Sequence, residues 1–306
     1  MTMALDFGCP CCIAPAIMYT IAAMFVVSAL ISKLPLHKSV QLGLKWVSYL
    51  TGALVIAFSV LLAMLERDAE LRSWFFAKLC SSMSKSPALN EKRCGLLAGA
   101  SGVVVEIGTG PGTNFKCWGN ETGSTLAAGK SIDTYIGVEP NRHFADTIRT
   151  EKKRTALPFQ VNIMYQSGVS MPDVADASVD SVVGTHVLCS VGDVDAILRE
   201  VHRILKPGGK FYFLEHVRAR DEHSWLHLAQ QVVAPIFNVA GNGCQFIALW
   251  KRFDAHVALF DFNVKDWEAP MPIPVLRPHL IGTATRRGEA GSHLLPAWGQ
   301  LPANTH

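Results

Sequence analysis

The sequence predicts an α/β protein: a doubly wound, mostly parallel sheet of seven strands, preceded by helices that anchor in a membrane. Three observations predict it. Val103 to Phe115 reads V-V-V-E-I-G-T-G-P-G-T-N-F, a β-branched run that ends in alternating glycines. After it, β-rich runs alternate with helical ones at the spacing of a parallel sheet covered on both faces. Before it, the first 65 residues hold two long uncharged runs, and these account for the high mean hydropathy of +0.23.

The chain of 306 residues is long enough for one full domain with an appendage. Its net charge is only +3 and no basic cluster tracks a phosphate backbone, so nucleic acid is excluded as the expected partner. The eight cysteines, at 9, 11, 12, 80, 94, 117, 189 and 244, form no pair of C-x-x-C knuckles. That pattern argues against structural zinc and a secreted disulfide scaffold, and reduced thiols facing the cytosol are the expectation. Cys9, Cys11 and Cys12 flank the first apolar run, where palmitoylation is one reading and chance placement the other.

Ile13 to Ile31 carries no charge, and as a helix it would span about 30 Å, the thickness of a hydrocarbon core. No basic residue precedes it and no clean cleavage site follows, so a retained anchor is expected over a removable signal. Trp46 to Leu65 is a second such run, and Lys33, Lys38 and Lys45 between the two place the linker in the cytosol. A single span with an interfacial second run, or a re-entrant hairpin, is favoured over two full spans. Residues 1–65 therefore read as anchor. Residues 66–95 read as an amphipathic linker or lid, with Leu71, Trp74, Phe75 and Leu79 among Arg67, Arg72 and Lys78.

The catalytic fold is expected over 96–285. A helix capped by Thr113 follows the glycines, then a polar insertion from Gly119 to Ser131. Strands are expected at Tyr135–Glu139, Phe159–Tyr165, Val179–Thr185 and Lys210–Val217, with helices at Asn141–Glu151 and Val194–Leu205 between them. Lys206-Pro207-Gly208-Gly209 stops the last of these helices. Ser224 to Ala240 reads as an apolar helix placed to cover a substrate, Cys244 to Ala258 as another helix, and Val257–Val264 with Leu276–Thr285 as a closing hairpin. Residues 286–306 lack periodicity and read as a disordered tail.

The glycine spacing selects a ligand. A dinucleotide fingerprint requires glycine where Thr113 stands, and a Walker loop requires a Lys that is absent from Val103 to Phe115. The remaining pattern, E-x-G-x-G-x-G, suits S-adenosylmethionine, whose sulfonium and ammonium outnumber its one carboxylate and which can lie against bare backbone beside Glu106. Glu139 ends the second strand, where a doubly wound fold places an acid on the ribose hydroxyls.

The blocks E-I-G-T-G-P-G-T-N-F-K, V-E-P-N, V-L-C-S-V, I-L-R-E-V-H-R-I-L-K-P-G-G, F-Y-F-L-E-H-V and R-P-H-L resemble the methyltransferase-like protein 7 family, over about Leu89 to Thr285. The resemblance implies a class I, Rossmann-like SAM-dependent methyltransferase, membrane-anchored at the endoplasmic reticulum or lipid droplets and acting on small lipophilic thiols. The cofactor site is expected at Glu106, Gly108, Thr109, Gly110, Gly112, Asn114, Glu139, Pro140, Gly168 and His186, although the family usually has an apolar residue where His186 stands. Three departures stand out: Glu139 where the family usually has Asp, an insertion about ten residues longer than the family pattern, and Gly168-Val169 in place of a usual G-E.

Transfer of methyl to a thiol needs alignment and removal of a proton, since a free thiol is only a few per cent ionised near neutrality. His216 and His186 end the fifth and fourth strands and are the candidate general bases, each with a purely structural role as the alternative. His186 with Cys189 lacks further ligands for a metal, and none is expected. The rival readings are methylation of a lipid, quinone or other oxygen or nitrogen nucleophile, and a non-catalytic membrane scaffold that keeps the fold.

Overall fold

The computed structural model describes residues 10–83, 87–119, 126 and 129–288, with side chains from residue 19 onward except at 82 and 83. Most of the insertion, the cysteine at 9 and the tail beyond 288 lie outside the described residues, as do the side chains of Cys11 and Cys12.

Two long helices open the described chain, α1 (Pro10–Lys33) and α2 (Lys38–Arg67), folded back on each other as a hairpin. They approach closely at Gly52, where a β-carbon would meet Met24 Sδ at 2.0 Å, and Ser28 Oγ lies 2.9 Å from Tyr49 OH. Most of their apolar surface is exposed, including Phe25, Leu50, Leu54 and Phe58. Among the described residues α2 is the helix long and apolar enough to cross a bilayer, which is compatible with a membrane anchor; of the first run only Tyr19–Lys33 enters that comparison.

The lower end of α2 behaves differently. Leu62 and Leu65 are buried against Val239, with Leu71, Phe75 and Ile236 around them. Asp68 ends α2 and opens α3 (Ala69–Met83), its Oδ1 accepting from the amides of Glu70 and Leu71 at 3.0 and 2.9 Å. Helix α4 (Pro87–Leu97) follows, and here the expectation of reduced thiols fails: Cys94 is disulfide-bonded to Cys117, their Cα atoms 4.9 Å apart. Residues 23 apart in sequence could be paired only by a fold that returns the glycine turn beside α4.

The sheet has seven strands in the order β3-β2-β1-β4-β5-β7-β6. They are β1 (Gly102–Ile107), β2 (Ile132–Val138), β3 (Gln160–Met164), β4 (Val179–Thr185), β5 (Leu205–His216), β6 (Phe260–Glu268) and β7 (Pro278–Arg286). The first five are parallel, and β7 enters antiparallel between β5 and β6. Helix α5 (Ala145–Thr155) follows β2, α6 (Val194–Ile204) follows β4, α7 (Trp225–Ala240) follows β5, and α8 (Leu249–Asp254) precedes β6. In α6 the side chains at 194, 197, 198, 201 and 204 are all buried, as their spacing requires, and Asp193 caps its first turn through Ala196 N–H at 2.9 Å.

Four differences from the sequence reading have local causes. No α-helix capped by Thr113 follows the glycines, only a 3-10 turn over Phe115–Cys117, because the disulfide and Gly119 close the segment at once and Asn114 turns its amide inward. The helix expected from Asn141 begins as a 3-10 turn and becomes α-helical only at Ala145. Lys206 to Gly209 stops α6 but lies within β5 as an irregularity, with Leu205 and Lys210 pairing with Val179 and Ser181. The helix expected over Cys244 to Ala258 contracts to α8, because Cys244 to Ala248 runs as a loop tied back to Cys189, whose carbonyl accepts from Gln245 N–H at 2.9 Å.

Leu65 is fully buried in the α2–α7 seam and Leu54 is 62% exposed on the same helix. Leu65→Ala is expected to cost about 2–4 kcal/mol of unfolding free energy, and Leu54→Ala less than about 0.5 kcal/mol, in denaturant titrations of detergent-solubilised protein. Equal effects would show that the seam does not hold the helix.

Candidate functional site

The order reverses between β1 and β4, the point where doubly wound sheets bind ligands beyond their carboxyl ends. The glycines of the fingerprint lie there. Gly108 N–H donates to Val138 O at 2.8 Å, which carries the chain off β1, and Gly112 N–H donates to Thr109 O at 3.0 Å, which closes the turn. Gly108 and Gly110 have φ of +69° and +54°, a region where a β-carbon is strained. A β-carbon at Gly108 would strike Val187 at 2.5 Å, whereas at Gly110 nothing lies nearer than Gly108 O at 3.9 Å. The backbone at Gly110 therefore borders open space.

Glu139 leaves β2 aimed at this turn. Its Oε2 accepts from Gly110 N–H at 2.8 Å and its Oε1 from Asn141 N–H at 2.8 Å. Burial raises its pKa, and the two amides pull it back down. Pro140, next in the chain, is exposed at the sheet edge. Gly168, in the loop after β3, is buried with no room for a β-carbon, which would meet Ile107 at 2.6 Å. Val169 beside it packs on the main core, as an apolar replacement for an acid must.

Glu106 sits beneath the turn rather than beside open space. It is 1% exposed, with Oε2 accepting from Tyr135 OH at 2.5 Å and Oε1 from Asn114 Nδ2 at 2.9 Å. Asn114 Nδ2 also donates to Thr185 Oγ1 at 3.0 Å, so one amide links the turn to β1 and β4. Thr109 is likewise turned inward, its Oγ1 3.3 Å from Tyr135 OH. Burial raises Glu106 to a pKa of about 7, against the hydrogen bonds of Tyr135 and Asn114 and the nearby charge of Arg93.

Arg93 on α4 gave no sequence signal, since one basic residue in an amphipathic stretch reads as solvated. It is 3% exposed, held by Asn90, and burial lowers its pKa to about 10. Several buried polar atoms here have no protein partner: Arg93 Nε, Asn114 Oδ1 and Gln166 Nε2, the last in the loop leaving β3. A buried donor or acceptor left unpaired costs about 1–3 kcal/mol, so these atoms fit a polar ligand. A cationic donor for a carboxylate and an amide oxygen for an ammonium suit the zwitterionic end of S-adenosylmethionine.

Helix α3 lies over the same edge. Ser73 O accepts from Asn141 Nδ2 at 2.8 Å, and Phe76 stacks edge-on to Phe144 at 6.1 Å. Burial, with Glu139 and Cys189 nearby, raises the Cys80 thiol to about 11.

Beyond β4 and β5 stands a cluster of histidines and thiols. His186 Nε2 is 3.0 Å from His279 Nε2, and His216 Nε2 is 3.2 Å from Cys244 Sγ. Burial, then the facing His279 and His216, holds His186 well below the usual imidazole range, and burial lowers His279 to about 4. Cys189, His216 and Cys244 present ligand atoms all within 4.8 Å of one another. The pairing of Cys189 with His186 considered from sequence missed both His216 and Cys244, since Cys244 arrives from beyond α7. A surface cavity of about 370 Å³ lined by Ser101, Asp180, Lys206 and Tyr212 lies at the opposite, amino edge of the sheet and has no part in this site.

Fold, switch-point turn and cradle together define a class I SAM-dependent methyltransferase with S-adenosylmethionine as its cofactor. The methyltransferase domain family matches residues 105–213. Human thiol S-methyltransferase TMT1A is 35% identical over 193 residues, covering 62% of this chain and 73% of the relative, and human TMT1B is 31% identical over 62% and 74%. The chain belongs to the family of these proteins, methyltransferase-like protein 7. The YcgJ protein of Bacillus subtilis shares the fold, with a TM-score of 0.50, 14% identity and coverage of 65% of this chain and 99% of that one.

In the folded protein Glu106 holds its proton more tightly than its reference pKa of 4.5 allows. Its contribution therefore favours folding below about pH 4.5 and is lost as the pH rises through about 7. The melting temperature of the wild type relative to Glu106→Gln is expected to fall between about pH 5 and pH 8. Parallel curves would show that the carboxylate is ionised throughout.

Proposed function

We propose that this enzyme methylates small lipophilic thiols, holding S-adenosylmethionine through the residues at the end of β1 and β2. Glu139 receives the ribose hydroxyls, exchanging its contacts with Gly110 and Asn141 for the sugar. Bare backbone at Gly110 admits the cofactor's body, Gly108 and Gly112 shape the turn that presents it, and Pro140 and Gly168 stand at the margins. Arg93 Nε meets the carboxylate, Asn114 Oδ1 the ammonium, and Gln166 the base. Glu106 acts from beneath by fixing Asn114, and Thr109 contributes backbone. When bound, the cofactor supplies an electrophilic methyl group on a sulfonium, so the protein's task is alignment and acceptor deprotonation.

The observation that carries this reading is the orphaned buried donor and acceptor, Arg93 Nε and Asn114 Oδ1, in a fold whose glycine turn opens to free space at Gly110. The thiol acceptor is supported by the relatives' names and by the thiol and imidazole cluster at the carboxyl ends of β4 and β5. Phe237 and Phe246, edge-on at 5.2 Å beside His216, give that region an apolar wall. With α2 as anchor and α3 as a lid, the reading places the enzyme on a membrane facing the cytosol, at the endoplasmic reticulum or lipid droplets.

Titration calorimetry should show Glu139→Ala and Arg93→Met each weakening cofactor binding by at least about tenfold, as expected where a charged partner is lost. Unchanged affinity for Glu139→Ala would mean that the sugar lies elsewhere. Product analysis with matched thiols, phenols and amines should show methylation of thiols, and turnover confined to phenols or amines would overturn the acceptor class. A chain starting at residue 61, which keeps the α2–α7 seam, should move to the soluble fraction. Continued pelleting would assign membrane attachment to α3 or α7.

A further inference from the structure

The buried cluster beyond β4 and β5 is more organised than a chance meeting of thiols. Cys189 lies in the 3-10 turn Leu188–Ser190 directly after β4, and His216 is the last residue of β5. Cys244 is delivered by a turn after α7 in which Asn242 and Gly243 are both left-handed, with φ of 52° and 93°. Two backbone bonds lock this turn: Gly243 N–H donates to Asn238 O at 2.7 Å and Gln245 N–H to Cys189 O at 2.9 Å. The second bond joins the two cysteine segments, so both thiols are brought to one imidazole by main chain as well as by side-chain packing. All three residues are 8% exposed or less.

We infer that Cys189, His216 and Cys244 form a zinc site with one coordination position left for the sulfur of the methyl acceptor. Tetrahedral zinc at the usual Zn–S and Zn–N lengths holds its ligands about 3.5–3.8 Å apart. The ligand atoms here lie within 4.8 Å of one another, with Cys244 Sγ and His216 Nε2 at 3.2 Å, so side-chain rotations of under about 1 Å complete the geometry. Two thiolates and one imidazole favour zinc over the harder divalent ions, and three protein ligands are the number found where zinc keeps an open position for a reactant. The site is at the carboxyl edge of β4 and β5, the edge that carries the glycine turn.

Such a metal solves the proton problem that His216 and His186 leave unsolved. His216 is turned to Cys244, and His186 is paired with His279. A thiol coordinated to zinc is deprotonated at neutral pH. The acceptor's S–H bond breaks at the metal and the proton leaves to water. The thiolate lone pair then forms the new S–C bond as the carbon–sulfonium bond breaks, its electrons returning to the sulfur of S-adenosylhomocysteine. Neither zinc nor cysteine changes oxidation state. This inference rests on the thiol reading above, although metal binding itself is measurable without turnover.

The test uses the full chain in detergent, exposed to zinc and then dialysed against metal-free buffer. Elemental analysis should find about one zinc per chain, lost in Cys189→Ser and Cys244→Ser while S-adenosylmethionine binding persists. On the wild type, 1,10-phenanthroline should remove the metal and leave cofactor affinity unchanged. Replacement with cobalt(II) should give the sulfur-to-metal charge-transfer band of a tetrahedral thiolate site, shifted by phenylmethanethiol and not by phenylmethanol. A protein that binds cofactor but retains no metal, or whose peptide map shows Cys189 and Cys244 joined as a disulfide, overturns the inference and leaves the methyltransferase reading intact. A cobalt spectrum indifferent to the thiol overturns the open position. Failure of the wild type to bind S-adenosylmethionine would instead strike the cofactor site beneath this inference.

Discussion

Everything at the switch point depends on how one buried carboxylate is satisfied. Glu106 has almost no access to water, and its two oxygens are held by Tyr135 from β2 and Asn114 from the turn. Asn114 reaches on to Thr185 at the end of β4. Three neighbouring strands and the glycine turn are thereby fixed by one small polar network, which a low-dielectric interior makes costly to break. Around it Tyr135 packs edge-on to Phe115 at 5.4 Å and lies 28° from parallel with Phe159. The network also leaves Asn114 Oδ1 as a buried acceptor with no protein partner, so satisfying the core leaves a polar atom unpaired beside the turn.

The disulfide between Cys94 and Cys117 has a comparable role on the other side of the turn. It joins α4 to the residues just after the glycines, and so brings Arg93 into the field of Glu106 and His186. A buried guanidinium with a carboxylate nearby is tolerable because the opposite charge offsets part of its desolvation.

What could be read from the chain beforehand was what local chemistry writes down. The β1 glycines, the acid ending β2, the apolar spacing of α6 and the β6–β7 hairpin each leave a short-range pattern in the sequence. The helix expected after the glycines, with Thr113 as its cap, is replaced by a 3-10 turn in which the next residue, Asn114, is committed to tertiary contacts with Glu106 and Thr185. Arg93, Gln166 and Cys244 were illegible for a related reason. Each is brought to the site by packing of distant segments, and nothing in its neighbours distinguishes it from a solvated or core residue. The disulfide was hidden likewise, since both cysteines lie among residues typical of a reduced protein.

The seam formed by Leu62 and Leu65 of α2 with Val239 of α7 couples two apolar surfaces that would otherwise be independent. Phe237, two residues before Val239, faces Phe246 and through it the His216 ring, so the aromatic wall beside His216 and the lower end of α2 belong to one packed body. On the proposed reading, an acceptor dissolved in lipid would reach that wall by lateral diffusion, without a passage through bulk water. Its apparent Michaelis constant, expressed per volume of buffer, would then scale inversely with its oil–water partition coefficient, so catalytic preference among thiols would include a term set by solubility rather than by fit.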